Sequence, residues 1–490
     1  MPPPPTLFHH SLQSPWLTLL SLFLLTRLVY FTIALLTPSR AYDSSTNLIL
    51  PSQPPPQGDA SGICWSLVSK LSERLTRWDA IYFVKIAEQG YLREQEWAFG
   101  WGWTRIMGAV GRAIIHLSPS DIPNPYPYVF AGILVANLSH LLSVFVLYNL
   151  TRLVYPAQDG VAVSFVAATM HVLTPAGMFL VAPYSEGLFA LLSFLGYYLY
   201  VRSTYAYYSY SSRAGGLEQA VWVVGAGAMW MLAGMVRSNG VLNGVVVLVD
   251  FVKEVWDGVL IMSWRRRLAR IAGLGVAGVM VGLGLIVPQG IAWMQFCAGK
   301  DGKGAGVAMR EWCSRTVPSI YLYVQDKYWN VGFLRYWTAG NIPLFLLAAP
   351  ILYILTRSSA WAILNDTPFS SSPSTLSQPA GKSKRPSAPT ALTTSHDINT
   401  SLIRAFALPQ LILAILAFTS YHVQIINRLS SGYVVWYWWL AQTILYAQEE
   451  EEKQDGSEGR RRKVVRWAVR WCVGYALVQG VLFAGFLPPA

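Results

Sequence analysis

Apolar residues in this chain gather into long runs, and neither the three-and-four spacing of an amphipathic helix nor the alternation of a half-buried strand dominates. The runs fall at about 15–36, 126–149, 161–181, 185–201, 219–236, 240–256, 271–295, 342–356, 402–421, 432–447 and 466–487. A run of roughly 20 apolar residues suffices for a helix to cross a bilayer. The pattern predicts an all-α polytopic membrane protein of about 11 transmembrane helices.

Two polar stretches, 38–125 and 296–341, are too long to be plain connections. Residues 358–400, rich in Ser, Pro and Thr, hold too little apolar surface to pack and are expected to form a disordered cytosolic loop. The EEEEKQDGSEGRRRK stretch reads as a solvated turn between spans. The first run continues past Arg27 to Leu36 with no small-residue cleavage site, which makes it an anchor helix and not a cleaved signal. Residues 1–490 are therefore read as a single membrane domain.

Charge then gives the runs a direction. The excess of 37 Lys and Arg over 25 Asp and Glu, a formal +12, would point to nucleic acid in a soluble chain. Here the basic residues lie between apolar runs, so membrane lipid and lipid-borne phosphate are the expected partners, and nucleic acid is not. Arg152, Arg202, Arg213, Arg265 to Arg267, Arg270, Arg357, Lys382, Lys384, Arg385 and Arg460 to Lys463 fall at every second connection. Basic short loops stay cytosolic. The remaining connections, 38–125, 184–186, 237–240, 296–341 and 422–432, are thereby assigned to one common non-cytosolic face. Sequons at Asn137, Asn149 and Asn399 lie in a span, at a cytosolic helix end and in the cytosolic loop, so none is expected to carry glycan.

Four cysteines without a CxxC pair exclude a disulfide scaffold and a zinc ribbon. Cys297 and Cys313 bracket a Gly-rich loop on the non-cytosolic face, where a disulfide or two unpaired thiols are the alternatives. The chain also lacks a P-loop, a GxGxxG before a strand, an HExxH and a DxD pair, so neither a cofactor nor a metal is expected.

The candidate chemistry lies on that common face. Asp79, just after Trp78, is placed to accept a proton from a hydroxyl nucleophile, or else to cap a helix or pair with Arg77. Glu94, Glu96 and Trp97 form an acidic and aromatic group suited to a sugar ring, although Trp is also ordinary at a membrane boundary. Glu186 opens an apolar run as a site residue or a helix cap. Arg237, with Asn239, offers a fork of donors for phosphate, or snorkels. Gln325, Trp329 and Asn330 lie in a segment, 319–343, that reads as amphipathic and interfacial. His422, Gln424 and Arg428 follow a span, where they neutralise a phosphate leaving group or close a helix.

RWDAIYFVKIAEQGY, EQEWAFGWGWTR, PAGMFLVAPYSEGLFALLSF, RSNG, YVQDKYWNVGFLRYW and HVQIINRLSSG together resemble the GPI mannosyltransferase 2 family, in its fungal form. The resemblance covers nearly the whole chain; glycine at 187, where a serine commonly follows the glutamate, departs from it. It implies a GT-C glycosyltransferase fold in the endoplasmic reticulum membrane with a lumenal active site. It also implies dolichyl phosphate mannose as donor and the mannosyl-glucosaminyl-acylphosphatidylinositol lipid as acceptor. The implied reaction is inverting transfer of the second mannose in an α-1,6 linkage, and fungal members imply a small membrane partner subunit. Trp78 and Asp79 match the family's first-loop motif, with Asp79 as base. Arg237, His422 and Arg428 are expected to meet the donor phosphate. The rivals are another dolichyl-phosphate-dependent mannosyltransferase and a polytopic lipid transporter or flippase, which would carry charges in mid-span.

Overall fold

The computed structural model describes residues 11–38, 42–50, 59–117, 123–156, 160–209, 215–256, 264–298, 310–364, 395–452 and 459–488. Every regular element among them is helical. Each of the 11 apolar runs carries a helix: Pro15–Leu36, Tyr126–Val154, Gly160–Val172, Glu186–Tyr208, Gly215–Val236, Gly244–Trp256, Trp264–Phe296, Ile342–Leu364, Ser395–Thr419, Val435–Glu452 and Gly459–Ala484, although 173–181 of the third run lies past its helix, in a turn and the 3-10 helix Gly177–Leu180. Seven helices are long and apolar enough to cross a membrane, and Gly160–Val172 is a shorter apolar one. The expected count of 11 spans is therefore not reached by length and composition. Gly160–Val172 and Gly244–Trp256 stop at 13 residues, the former just before Thr174 and Pro175. Val435–Glu452 ends on four glutamates, and Glu186–Tyr208 carries Arg202, six tyrosines and three Ser or Thr that dilute its apolar content.

Glu186–Tyr208 sits at the centre of the bundle, packed between Tyr126–Val154 and Gly215–Val236 and buried over most of its length. Small residues let neighbours approach. A side chain at Gly187 would come within 2.6 Å of the Ala136 carbonyl, so the serine expected there has no room.

The long stretch 38–125 is largely folded. It holds helices Asp59–Leu75, Asp79–Gln89 and Trp101–Leu117 and the 3-10 turns Ser45–Leu48 and Glu94–Ala98. Asp79–Gln89 ends on Gly90, whose φ of 81° any L side chain would resist.

Three expectations need correction. The loop read as 358–400 is helical at both ends, in Ile342–Leu364 and Ser395–Thr419, and residues 365–394 lie outside the described residues. Asn399 belongs to that second helix, is buried and takes the Tyr205 hydroxyl, so it is not a loop residue. The acidic run closes the helix Val435–Glu452 and the basic run opens Gly459–Ala484, so neither is a turn; 453–458 lie outside the described residues, as do Arg213, Lys382, Lys384 and Arg385. The segment 319–343 is a short helix, Ile320–Lys327, then irregular chain leading to the 3-10 turn Ala339–Asn341 and the start of Ile342–Leu364.

Candidate active site

The five connections assigned to one face converge on a single cavity of about 230 Å³. Asp79 and Trp97 to Trp101 come from the first loop, Ser185 from the second connection and Arg237 to Asn239 from the third. Gln325 and Trp329 come from the fourth, and His422 and Arg428 from the fifth. Segments up to about 350 residues apart thus supply one site.

Four charges link its walls. Arg428 donates from Nη2 to Asp79 Oδ2 at 2.8 Å, and its Nε lies 3.6 Å from Glu186 Oε1. Arg237 donates from Nη1 to the same Glu186 oxygen at 2.6 Å and to Ser185 Oγ at 3.0 Å. The order Asp79, Arg428, Glu186, Arg237 alternates in sign, which lets four charges sit together in an apolar protein. Burial alone would lower the Arg428 pKa, but Asp79 and Glu186 outweigh it and hold the guanidinium above its ordinary value. Phe179 and Tyr184 lie against its face at 5.0 and 5.6 Å.

Asp79 is the first residue of its helix, where the dipole favours a carboxylate. Its partner is Arg428. Arg77, the partner weighed from sequence, binds Glu73 Oε1 at 3.0 Å and Thr46 Oγ1 at 2.7 Å. Tyr184 donates to the Arg77 carbonyl at 3.0 Å, so the turn into Asp79 is pinned on both sides. Trp78 between them has φ 54° and ψ −125°, a strained conformation for a residue with a side chain. Its ring meets Phe486 edge-on at 4.9 Å. Strain of this kind, about 1–3 kcal/mol, persists where packing over-determines it, and here it aims Asp79. Gly100 forms the close part of the wall: a Cβ there would lie 1.8 Å from the Val236 carbonyl.

The other predicted residues divide into two groups. Asn239 lines the cavity and donates to the Tyr433 hydroxyl at 3.2 Å; His422 lines it, donates from Nε2 to the Trp329 carbonyl at 2.8 Å and stacks on Tyr336. Trp97 lines it while packing on Tyr91 at 4.3 Å. Glu94 and Glu96 do not line it. Glu94 Oε1 binds Arg310 at 2.6 Å and Trp312 Nε1 at 2.9 Å, and Glu96 Oε2 takes the backbone N–H groups of Leu92 and Arg93 at 2.6 and 2.9 Å. Both acids shape the loop that carries Trp97. Gln424 takes the Tyr336 hydroxyl at 3.1 Å outside the cavity lining, and Asn330 is exposed at φ 50°. Glu186 and Trp78 stand behind the wall, not in it.

Sequence reading missed Gln289 and Tyr321, which line the cavity beside Ser238. Gln289 Oε1 takes Ser319 Oγ at 3.0 Å and the Tyr321 N–H at 3.1 Å, and Ser238 donates to the Tyr321 hydroxyl at 2.7 Å. The Pro-Gln-Gly interruption of the run around 288–290 was the available signal. Cys297 and Cys313 are disulfide-bonded, with Cα atoms 5.7 Å apart, which fixes the Arg310 and Trp312 contacts to the end of Trp264–Phe296. Among the described residues no group of three or more His, Cys, Asp or Glu side chains is placed to hold a metal ion.

The chain is similar along its length to known proteins. A GPI mannosyltransferase 2 of Chaetomium globosum is 40% identical over 97% of this chain and 96% of its own length. Those of Aspergillus fumigatus and Aspergillus oryzae are 39% and 35% identical, covering 98% and 96% of this chain and 94% of each relative. Among solved structures, the Archaeoglobus fulgidus oligosaccharyltransferase aligns with a TM-score of 0.45 at 10% identity, over 97% of this chain. The chain spans about half of that protein, 56%. The model of the family described as mannosyltransferase (PIG-V) matches residues 17–490, and the chain belongs to that family.

Proposed function

We propose that this protein transfers the second mannose of the GPI precursor, in an α-1,6 linkage, from dolichyl phosphate mannose to the first mannose of the lipid-borne glycan. The observation that carries the reading is the alternating charge chain with Asp79 at one end and Arg237 at the other, beside one cavity. A single displacement needs a base on one side of the anomeric carbon and a cation on the other.

Asp79 engages Arg428 through Oδ2, and no partner of Oδ1 occurs among the described residues. Oδ1 accepts the proton of the acceptor 6-hydroxyl as that oxygen bonds to the anomeric carbon. The bond from that carbon to the phosphate oxygen breaks, and dolichyl phosphate leaves with the electron pair. The departing phosphate gains negative charge, which Arg237 and His422 meet, while Arg428 holds Asp79. Inversion converts the β-linked donor into an α-linkage. The reading uses no metal or other cofactor. Trp97 and Trp329 give the sugars apolar faces, and Gln325 and Asn239 supply amides.

The reading also takes the fold as GT-C and the cavity as lumenal, in the endoplasmic reticulum membrane. The same site on another dolichyl-linked acceptor would need a different acceptor pocket. A small membrane subunit remains part of the reading for the assembled enzyme.

The test is a microsomal assay with labelled dolichyl phosphate mannose and the one-mannose glycolipid. Wild type is expected to form the two-mannose product, and Asp79→Asn to lose about 100- to 10,000-fold in rate at unchanged protein level. Full activity in the mutant would remove Asp79 from the role of base.

A further inference from the structure

A second hollow, of about 470 Å³, opens from the charged cavity. The two share Ser238, Asn239, Leu285, Gln289, Tyr321 and Tyr421, so they form one continuous space. Beyond that junction the character changes. The new walls are Val241 and Leu242 on one side, Ile286 and Trp293 on the helix Trp264–Phe296, and Val317 and Leu322 opposite. Ile286, Val317 and Leu322 are among the well-exposed apolar side chains, and Trp264–Phe296 is one of the seven helices fit to cross a bilayer. The groove therefore runs from a charged cavity to a face suited to hydrocarbon.

We infer that this groove holds the polyisoprenyl chain of the sugar donor, a placement that rests on the function proposed above. Two lipids meet in that reaction, and the geometry distinguishes them. Nucleophile and leaving group lie on opposite sides of the anomeric carbon, so the donor phosphate belongs at the end of the cavity away from Asp79. Arg237 stands at the far end of the charge chain from Asp79, and the groove begins at the next two residues, Ser238 and Asn239. Neither Asp79 nor any residue of the Trp97 to Trp101 wall touches it. The chain attached to the leaving phosphate thus has an apolar path from the phosphate position out to the bilayer. The polar junction of Gln289 with Ser319 and Tyr321, both of which donate to its Oε1, marks where headgroup gives way to hydrocarbon.

Gly290 provides a clean test. It lines the groove, and a Cβ built there meets nothing within 4 Å, so a larger side chain fills the groove without moving a neighbour. Gly282, on the same helix, is equally open but lines neither space. The full-length protein in microsomes is assayed with mannosyl phosphate on a full-length polyprenol and with the same head on a short, water-soluble prenol. Gly290→Leu is expected to raise KM for the long-chain donor about tenfold, the loss of contacts worth about two methylene groups. KM for the short donor and for the acceptor should stay put, Gly290→Ala should give a smaller rise in the same direction, and Gly282→Leu should behave as wild type. An equal rise for both donors, a rise in the acceptor KM, or no change would each overturn the assignment. Failure of the wild type with either donor would sink the functional reading before any variant is made.

Discussion

Two clusters of polar side chains sit inside this apolar protein, and they are built differently. One is the charge chain of Asp79, Arg428, Glu186 and Arg237. The other lies between helices: Arg27 on the first span contacts His140 Nδ1, His140 Nε2 donates to the His171 carbonyl at 3.3 Å, and His171 bonds Ser143 at 2.7 Å and the Tyr437 hydroxyl at 2.8 Å. In the first, Asp79 and Arg428 keep side-chain exposures of 29% and 15% and face a cavity. In the second every member is buried and none lines the cavity. An ionisable residue inside a membrane is by default a functional candidate. Here cavity access separates the site proposed to act on substrate from a network that holds helices together. The two touch: Tyr437 donates to the Ser431 carbonyl at 3.1 Å, and Ser431 Oγ donates to the Arg428 carbonyl at 2.8 Å. The buried network thus braces the short loop that carries Arg428.

Making the same substitution in both clusters breaks the comparison most directly. Arg428→Met should cost at least about 100-fold in transfer, because it unpairs Asp79 and leaves Glu186 only Arg237. Thermal stability in detergent should fall as well. A guanidinium held above its ordinary pKa stabilises the fold at every pH below that ordinary value, so this contribution should not fade between pH 5 and 9. Retained activity in Arg428→Met would dissolve the distinction between the clusters.

A smaller effect is expected at the Cys297–Cys313 disulfide. Replacing Cys297 and Cys313 together by Ser opens a link across 16 positions, worth about 3 kcal/mol by loop entropy. Loss of that link loosens the Arg310 and Trp312 contacts to Glu94, which lie behind the Trp97 wall. The melting temperature should drop by several degrees while kcat with saturating substrates changes less than about threefold. A collapse of kcat would make the disulfide part of the reacting site.

Much of this was legible in the chain. Every apolar run carries a helix, because run length is a local property that packing does not reverse. The counting of Lys and Arg grouped five connections, and those five build the cavity. What could not be read was partnership. Asp79 meets a residue 349 positions away, and nothing local distinguishes Arg428 from Arg77 as its partner. Glu94 and Glu96 looked like ligands by composition and proved to be loop supports, since a carboxylate beside indoles serves either role. Gln289 was hidden inside a span where only the adjacent proline marks it.

The last test is expected to show almost nothing, and that is its use. Arg27 is 5% exposed, and its Nε and Nη1 have no hydrogen-bond partner among the described residues. A buried guanidinium left partly unsatisfied costs desolvation that its one polar contact does not fully offset. Methionine fills similar volume, keeps contact with Phe23 and brings no charge into the span. His140 keeps its bond to the His171 carbonyl, so the chain from His171 through Tyr437 to the Ser431 loop stays whole. Arg27→Met should therefore leave transfer within about twofold of wild type and the melting temperature equal or slightly raised. A large loss of activity at an unchanged melting temperature would show that Arg27 acts on the reaction. The buried cluster would then belong with the cavity, and burial alone would no longer separate support from chemistry in this protein.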